Sequence, residues 1–126
     1  DTVLLIRQYR PAVGEFLLEV PAGTIEPNEP VDQTAARELI EETGYSAGVL
    51  HKMFSQYLAP GYSSEVLHAY IAWSLSPASG TADEDENIEV VPVKISEVEK
   101  MILGGEIKDA KSIASLLVSL RIPPPA

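Results

Sequence analysis

Three glutamates, Glu38, Glu41 and Glu42, stand at positions i, i+3 and i+4. On an α-helix, at about 100° per residue, that spacing gathers all three side chains on one face within a single turn. Ala36 and Ile40 then point the opposite way, with Leu39 to the side, and can pack on a sheet. Like charges at this spacing oppose helix formation by roughly 0.2–0.5 kcal/mol per pair, so a purely structural helix gains nothing from the crowding. Three carboxylates on one turn instead make a hard oxygen-donor set for Mg²⁺ or Mn²⁺, whose charge offsets the repulsion. Upstream, Gly23 lets the chain turn tightly enough for backbone carbonyl oxygens to approach the same ion. The other acids are also grouped: Glu26, Glu29 and Asp32 nearby, and Asp83, Glu84, Asp85, Glu86 and Glu89 further on. An average acidic run is a solvated face, and spacing is what separates the first group from that description.

The elements that must position these residues are legible in outline. Residues 3–8 and 15–20 read as strands joined by a turn at 11–14, and Pro21-Ala22-Gly23 breaks the extended run. Pro30 suits the first turn of a helix, which should continue to about Thr43 and stop at Gly44. Strand-like segments follow at 48–57 and 66–75, separated by the loop 59–64. Residues 76–86 are small, polar and acidic, as in a surface loop; 88–95 is a further strand, with Pro92 suggesting an edge or bulge. Ser96 and Glu99 suggest a capping box for a short helix ending at Gly104-Gly105, and Asp109 is placed to cap a last helix over 110–121. Strands and helices mix without regular βαβ alternation, which favours an α/β (α+β) fold, a mixed β-sheet with helices packed on it.

Composition narrows the function classes. A chain of 126 residues fits one domain with one core. No apolar run approaches the ~18 residues of a membrane span, so no membrane partner is expected. With nine basic residues against nineteen acidic ones, a net charge of −10 would repel a nucleic-acid backbone. The lack of Cys excludes disulfides, thiolate zinc sites and cysteine nucleophiles, and is compatible with a cytoplasmic location. Residue 1 is Asp and Val3-Leu4-Leu5-Ile6 already reads as a core strand, so further N-terminal strands are expected in the complete protein.

From Gly23 the chain continues as five residues, Glu29, seven residues, then Arg37-Glu38-Leu39-Ile40-Glu41-Glu42-Thr43-Gly44-Tyr45. This segment resembles the Nudix box, Gly-x5-Glu-x7-Arg-Glu-U-x-Glu-Glu-x-Gly-U with U aliphatic, at every fixed position; Tyr45 departs only at the last U. The resemblance implies a Nudix fold, a mixed β-sheet sandwiched between α-helices, over residues 1–126. Glu38, Glu41 and Glu42 would be the metal-binding carboxylates, Glu41 also a catalytic one, and the Ala22 carbonyl a further ligand. Glu29, Arg37, Gly23 and Gly44 would hold loop and helix together and orient those groups.

Flanking residues bear on the substrate. Pro60 lies sixteen positions beyond Gly44, and Ala59-Pro60-Gly61-Tyr62-Ser63-Ser64-Glu65 resembles the Ser-Pro-Gly loop of ADP-ribose pyrophosphatases, with Ala59 in the usual Ser place. Arg7-Gln8-Tyr9-Arg10, Leu18-Glu19-Val20-Pro21-Ala22-Gly23, the acidic run 83–90 and the run 105–110 are similar to the same family. The likeness implies that Arg10 binds a substrate phosphate, that Glu65 accepts hydrogen bonds from the terminal ribose, and that Gly61 and Tyr62 border the substrate. Glu84 and Glu86 occupy positions that supply the general base and, at Glu86, an additional metal ligand. It also implies hydrolysis of ADP-ribose to AMP and ribose 5-phosphate, more than one Mg²⁺ or Mn²⁺ ion, and a homodimer. Blander roles weigh against each: Arg7 and Arg10 as surface partners of Glu15 or Glu19, His51 and His68 as packing or surface residues, Tyr70, Ile71 and Trp73 as core. Two rival functions remain open: a Nudix hydrolase of a nucleoside triphosphate or another nucleotide sugar, and a catalytically silent nucleotide-binding regulator. The complete set Glu38, Glu41, Glu42 speaks against the last.

Overall fold

The computed structural model describes residues 1–78 and 88–125. In chain order these form β1 (Thr2–Arg10), β2 (Glu15–Glu19), α1 (Val31–Thr43), β3 (Tyr45–Tyr57), β4 (Val66–Pro77), β5 (Ile88–Lys94), α2 (Ile95–Leu103) and α3 (Ala110–Ser119). The α+β class is as expected. In place of one mixed sheet, however, the described strands form two antiparallel sheets, β2-β1-β5 and β3-β4. The connections account for two of the pairings: a four-residue turn joins β1 to β2 and an eight-residue loop joins β3 to β4, too short for the crossover that parallel pairing needs.

β1 is the central strand of its sheet, and Leu5 and Ile6 are both fully buried. Consecutive strand residues face opposite sides, so both faces of β1 are covered, which is why its apolar run is continuous instead of alternating. On one side Leu5, Leu18 and Val93 meet Val98 of α2, Leu116 of α3 and Ile107 between them. Each such side chain contributes roughly 1.5–3 kcal/mol of burial free energy. Ile6, Gln8 and Arg10 project from the other side, opposite Glu19, Leu17 and Glu15 of β2. The hairpin turn closes as Val13 and Gly14 donate to the Arg10 carbonyl at 3.1 and 3.0 Å.

α1 ends where the sequence places its end. Gly44 adopts φ +79°, and its N–H returns to the Ile40 carbonyl at 2.8 Å. Thr43 donates its hydroxyl to the Leu39 carbonyl and accepts the Tyr45 N–H, so the chain enters β3 at once, earlier than the expected residue 48. The Ser96–Glu99 capping box does not form. β5 feeds α2 without an intervening loop, Lys94 takes the N-cap position with no side-chain hydrogen bond, and Ser96 falls inside the first turn. The Ile95 N–H is satisfied by the Asp1 carbonyl at 2.8 Å instead. Asp109 does cap α3, accepting the Ser112 N–H at 3.2 Å. Among the described residues, no helix is long and apolar enough to cross a membrane.

Candidate active site

Arg37 ties the loop before α1 to the helix itself. Its Nε and Nη2 donate to the two oxygens of Glu29 at 2.8 and 3.0 Å, and Nη2 also reaches the Thr24 carbonyl at 3.1 Å. Nη1 donates to Glu38 at 2.8 Å and to Glu41 at 3.2 and 3.3 Å. Glu29 accepts in addition from the Thr34 hydroxyl and the Glu26 N–H, at 2.7 and 3.1 Å. These donors, Arg37 first, hold the Glu29 carboxyl down at about 2. Arg37 thus links Glu29 to Glu38 and Glu41, and the guanidinium offsets the repulsion among α1's carboxylates.

A cleft of about 470 Å³ opens between the Gln8–Arg10 end of β1, the loop 22–27 and the acidic side of α1, with Ala22, Gly23, Glu38 and Glu42 on its walls. Glu42 is only 7% exposed and accepts the Ala22 N–H at 2.7 Å, which presses the loop onto the helix. Gly23 lies so close to the Glu38 carboxylate that a Cβ there would overlap it, so any side chain at this position has to displace that carboxylate. Glu41 is more exposed and turns towards Arg37. As the side chains stand, no three carboxylates among the described residues converge into a ready metal cluster. The donor chemistry nevertheless fits a hard cation: every acidic group at this cleft is a glutamate oxygen, and the glycine contact brings the loop backbone against Glu38.

Arg10 borders the same cleft. Its Nε and Nη2 grip Glu19 in a two-pronged pair at 2.7 and 2.8 Å, so the expectation of a plain surface partner is met in part while the guanidinium still faces the site. Arg7 only approaches Glu89, at 3.7 Å, with both side chains exposed. Gln8, also on the wall, is a site candidate the sequence did not single out; its alternation with Arg10 along β1 was the available signal.

A second, mostly apolar cavity of about 720 Å³ lies between α1, β4 and α3. It shares Ala22, Gly23 and Glu38 with the cleft and reaches Glu65, so Glu65 and the box open onto connected space. The Ala59 carbonyl accepts the N–H groups of Tyr62 and Ser63, at 3.1 and 2.8 Å, which turns the chain tightly around Pro60 and Gly61. Pro60 and Gly61 are exposed, Tyr62 is 91% exposed, and none of the three lines either cavity. His68 pairs with the Ser55 hydroxyl at 2.7 Å, and His51 lies beside Trp73, both away from the cleft. Glu84 and Glu86 lie outside the described residues.

The model of the NUDIX domain matches residues 1–116. An ADP-ribose pyrophosphatase of Bacillus subtilis (strain 168) is 37% identical over 87% of this chain and 60% of its own length. A GDP-mannose pyrophosphatase of Escherichia coli O1:K1 / APEC is 39% identical over 91% of this chain and 64% of its own length. Among solved structures, an ADP compounds hydrolase superposes with a TM-score of 0.87 at 28% identity, covering 96% of this chain and 65% of the other. The chain therefore spans a little over three-fifths of the length of these relatives.

Proposed function

This chain belongs to the NUDIX family, and from that premise we propose that it hydrolyses the pyrophosphate bond of ADP-ribose, giving AMP and ribose 5-phosphate. The supporting observation is a single cleft that sets the Arg10 guanidinium across from the box carboxylates Glu38 and Glu42. A diphosphate needs both: a fixed cation for its oxygens, and carboxylates able to hold divalent ions, which Nudix hydrolases generally use. Glu38, Glu41, Glu42 and the Ala22 carbonyl would hold Mg²⁺ or Mn²⁺, with Glu86 serving a further ion. Bound there, the metal would withdraw charge from the diphosphate and acidify a nearby water.

The remaining work falls to the chain's own residues. Arg10 contacts a phosphate oxygen through a charge-assisted hydrogen bond. Glu84 or Glu86, or Glu41 on α1, accepts the proton of the attacking water. Glu65 accepts hydrogen bonds from the terminal ribose, while the loop carrying Pro60, Gly61 and Tyr62 borders that end of the substrate. Within this proposal residues 1–126 are one NUDIX domain of a cytoplasmic homodimer. Exposed Tyr9, Val13 and Phe16 on the β1–β2 hairpin offer apolar surface for a second copy, and sedimentation would test it.

Similarity to a GDP-mannose pyrophosphatase, 39% identity against 37% for the ADP-ribose enzyme, favours a second reading in which a GDP-sugar is the substrate. Incubating the protein with Mg²⁺ and ADP-ribose, GDP-mannose or a nucleoside triphosphate, then comparing kcat/KM, separates the two. A preference for ADP-ribose supports the proposal; a preference for GDP-mannose replaces the substrate, and cleavage of the triphosphate alone rejects both.

A further inference from the structure

Arg10 does not stand alone behind the cleft. Glu19, which grips it, is 1% exposed and receives a second cation, Lys111 of α3, at 2.6 Å. Lys111 is itself largely buried, and it also donates to Asp109 at 2.9 Å. Asp109 in turn takes the Ser112 N–H and hydroxyl, and that hydroxyl accepts the Val20 N–H at 2.9 Å, just before the box loop. The four charges, Arg10, Glu19, Lys111 and Asp109, sum to zero.

This arrangement contains more than a buried carboxylate requires. Burial pushes the Glu19 carboxyl up, yet the hydrogen bonds from Arg10 and Lys111 bring it below the ordinary range. One buried cation with good geometry can neutralise a buried carboxylate, and Lys111 has that position. Arg10 is 43% exposed, and what Glu19 supplies to it is orientation. A two-pronged grip on the Nε–Nη2 edge fixes the plane of the guanidinium and turns the Nη1 edge away from Glu19. Lys111, balanced in turn by Asp109, holds the same Glu19 carboxylate from α3 and so keeps that grip in place.

We propose that Glu19 is a positioning residue that aims Arg10 at the substrate diphosphate, and that Lys111 of α3 anchors the Glu19 carboxylate for that role. The inference rests on reading Arg10 as a phosphate contact, and its test separates the two. Affinity for ADP-ribose is measured by calorimetry in EDTA, where turnover is suppressed, alongside kcat and KM with Mg²⁺ and the melting temperature. Glu19→Gln is expected to raise Kd and KM about tenfold, the loss of roughly one charge-assisted contact, with kcat changed less than about twofold. In an Arg10→Ala background the same substitution should add nothing, because the group it aims is gone. Lys111→Met is expected to weaken binding in the same direction.

Arg10→Lys covers the case in which Glu19→Gln does not fold: it keeps the charge at a half-exposed position but cannot be held by a fork, and it should raise Kd similarly. Normal affinity in Arg10→Lys, or multiplicative effects of Glu19→Gln and Arg10→Ala, would overturn the positioning role. Unchanged affinity in Arg10→Ala would instead reject the phosphate contact itself, and the inference with it.

Discussion

Glu42 is nearly buried, yet its carboxylate both reaches the cleft and accepts the Ala22 N–H. Glu42→Gln keeps an oxygen for that hydrogen bond and removes the charge. It should shift the melting temperature little while lowering kcat on the order of a hundredfold or more, as expected for a metal-holding group. Paired thermal melts and initial rates distinguish this from general unfolding, which would lower both. Glu29 makes a different statement, about pH. Its carboxyl titrates at about 2 instead of the ordinary 4.5, so its link to Arg37 contributes stability in full above about pH 4.5 and loses it as pH falls towards 2. Melting temperatures of wild type and Glu29→Gln should therefore differ at neutral pH and converge in acid; a constant gap would contradict the assignment. The box glutamates were legible because their meaning is local, three carboxylates within one helical turn. Glu19 and Lys111 were not, since 92 residues separate them and no periodicity within either segment points to the other.

Elements carry predictions of their own. Gly44 stops α1 in the left-handed region, where a side chain is strained, so Gly44→Ala should cost about 1 kcal/mol and lower the melting temperature by a few degrees. Gly23→Ala acts through contact instead: its Cβ would displace the Glu38 carboxylate from the loop, and activity should fall much further than stability. Comparing the two substitutions by calorimetric melting and turnover separates backbone strain from damage to the site. The stop at Gly44 and the cap at Asp109 were readable because each depends on one residue's backbone or side-chain chemistry, whereas Pro30, expected in the first turn, stands just outside it as the extended N-cap residue. Ser96 misled for the complementary reason. A capping box needs a chain end to cap, and β5 runs straight into α2 with the Asp1 carbonyl already satisfying Ile95.

At the scale of the molecule, the sequence implied strands and helices in the right order but not how the strands divide. Alternation and apolar runs report which residues are buried, whereas the partition into β2-β1-β5 and β3-β4 depends on pairings such as Val3 with Val93, formed across most of the chain. The hairpin presents Arg10, α1 presents the carboxylates, and α3 braces the back of the site through Lys111 and Ser112. The proposed hydrolysis depends on the first two meeting at one cleft and on the third holding them from behind. Incubating the protein with ADP-ribose and separating the products by ion-exchange chromatography tests this most directly, with Mg²⁺, with EDTA, and with a Glu38→Gln/Glu42→Gln protein. AMP and ribose 5-phosphate in equal amounts, from the wild-type protein with Mg²⁺ alone, is the expected outcome; equal yields in EDTA or from the double variant would refute it.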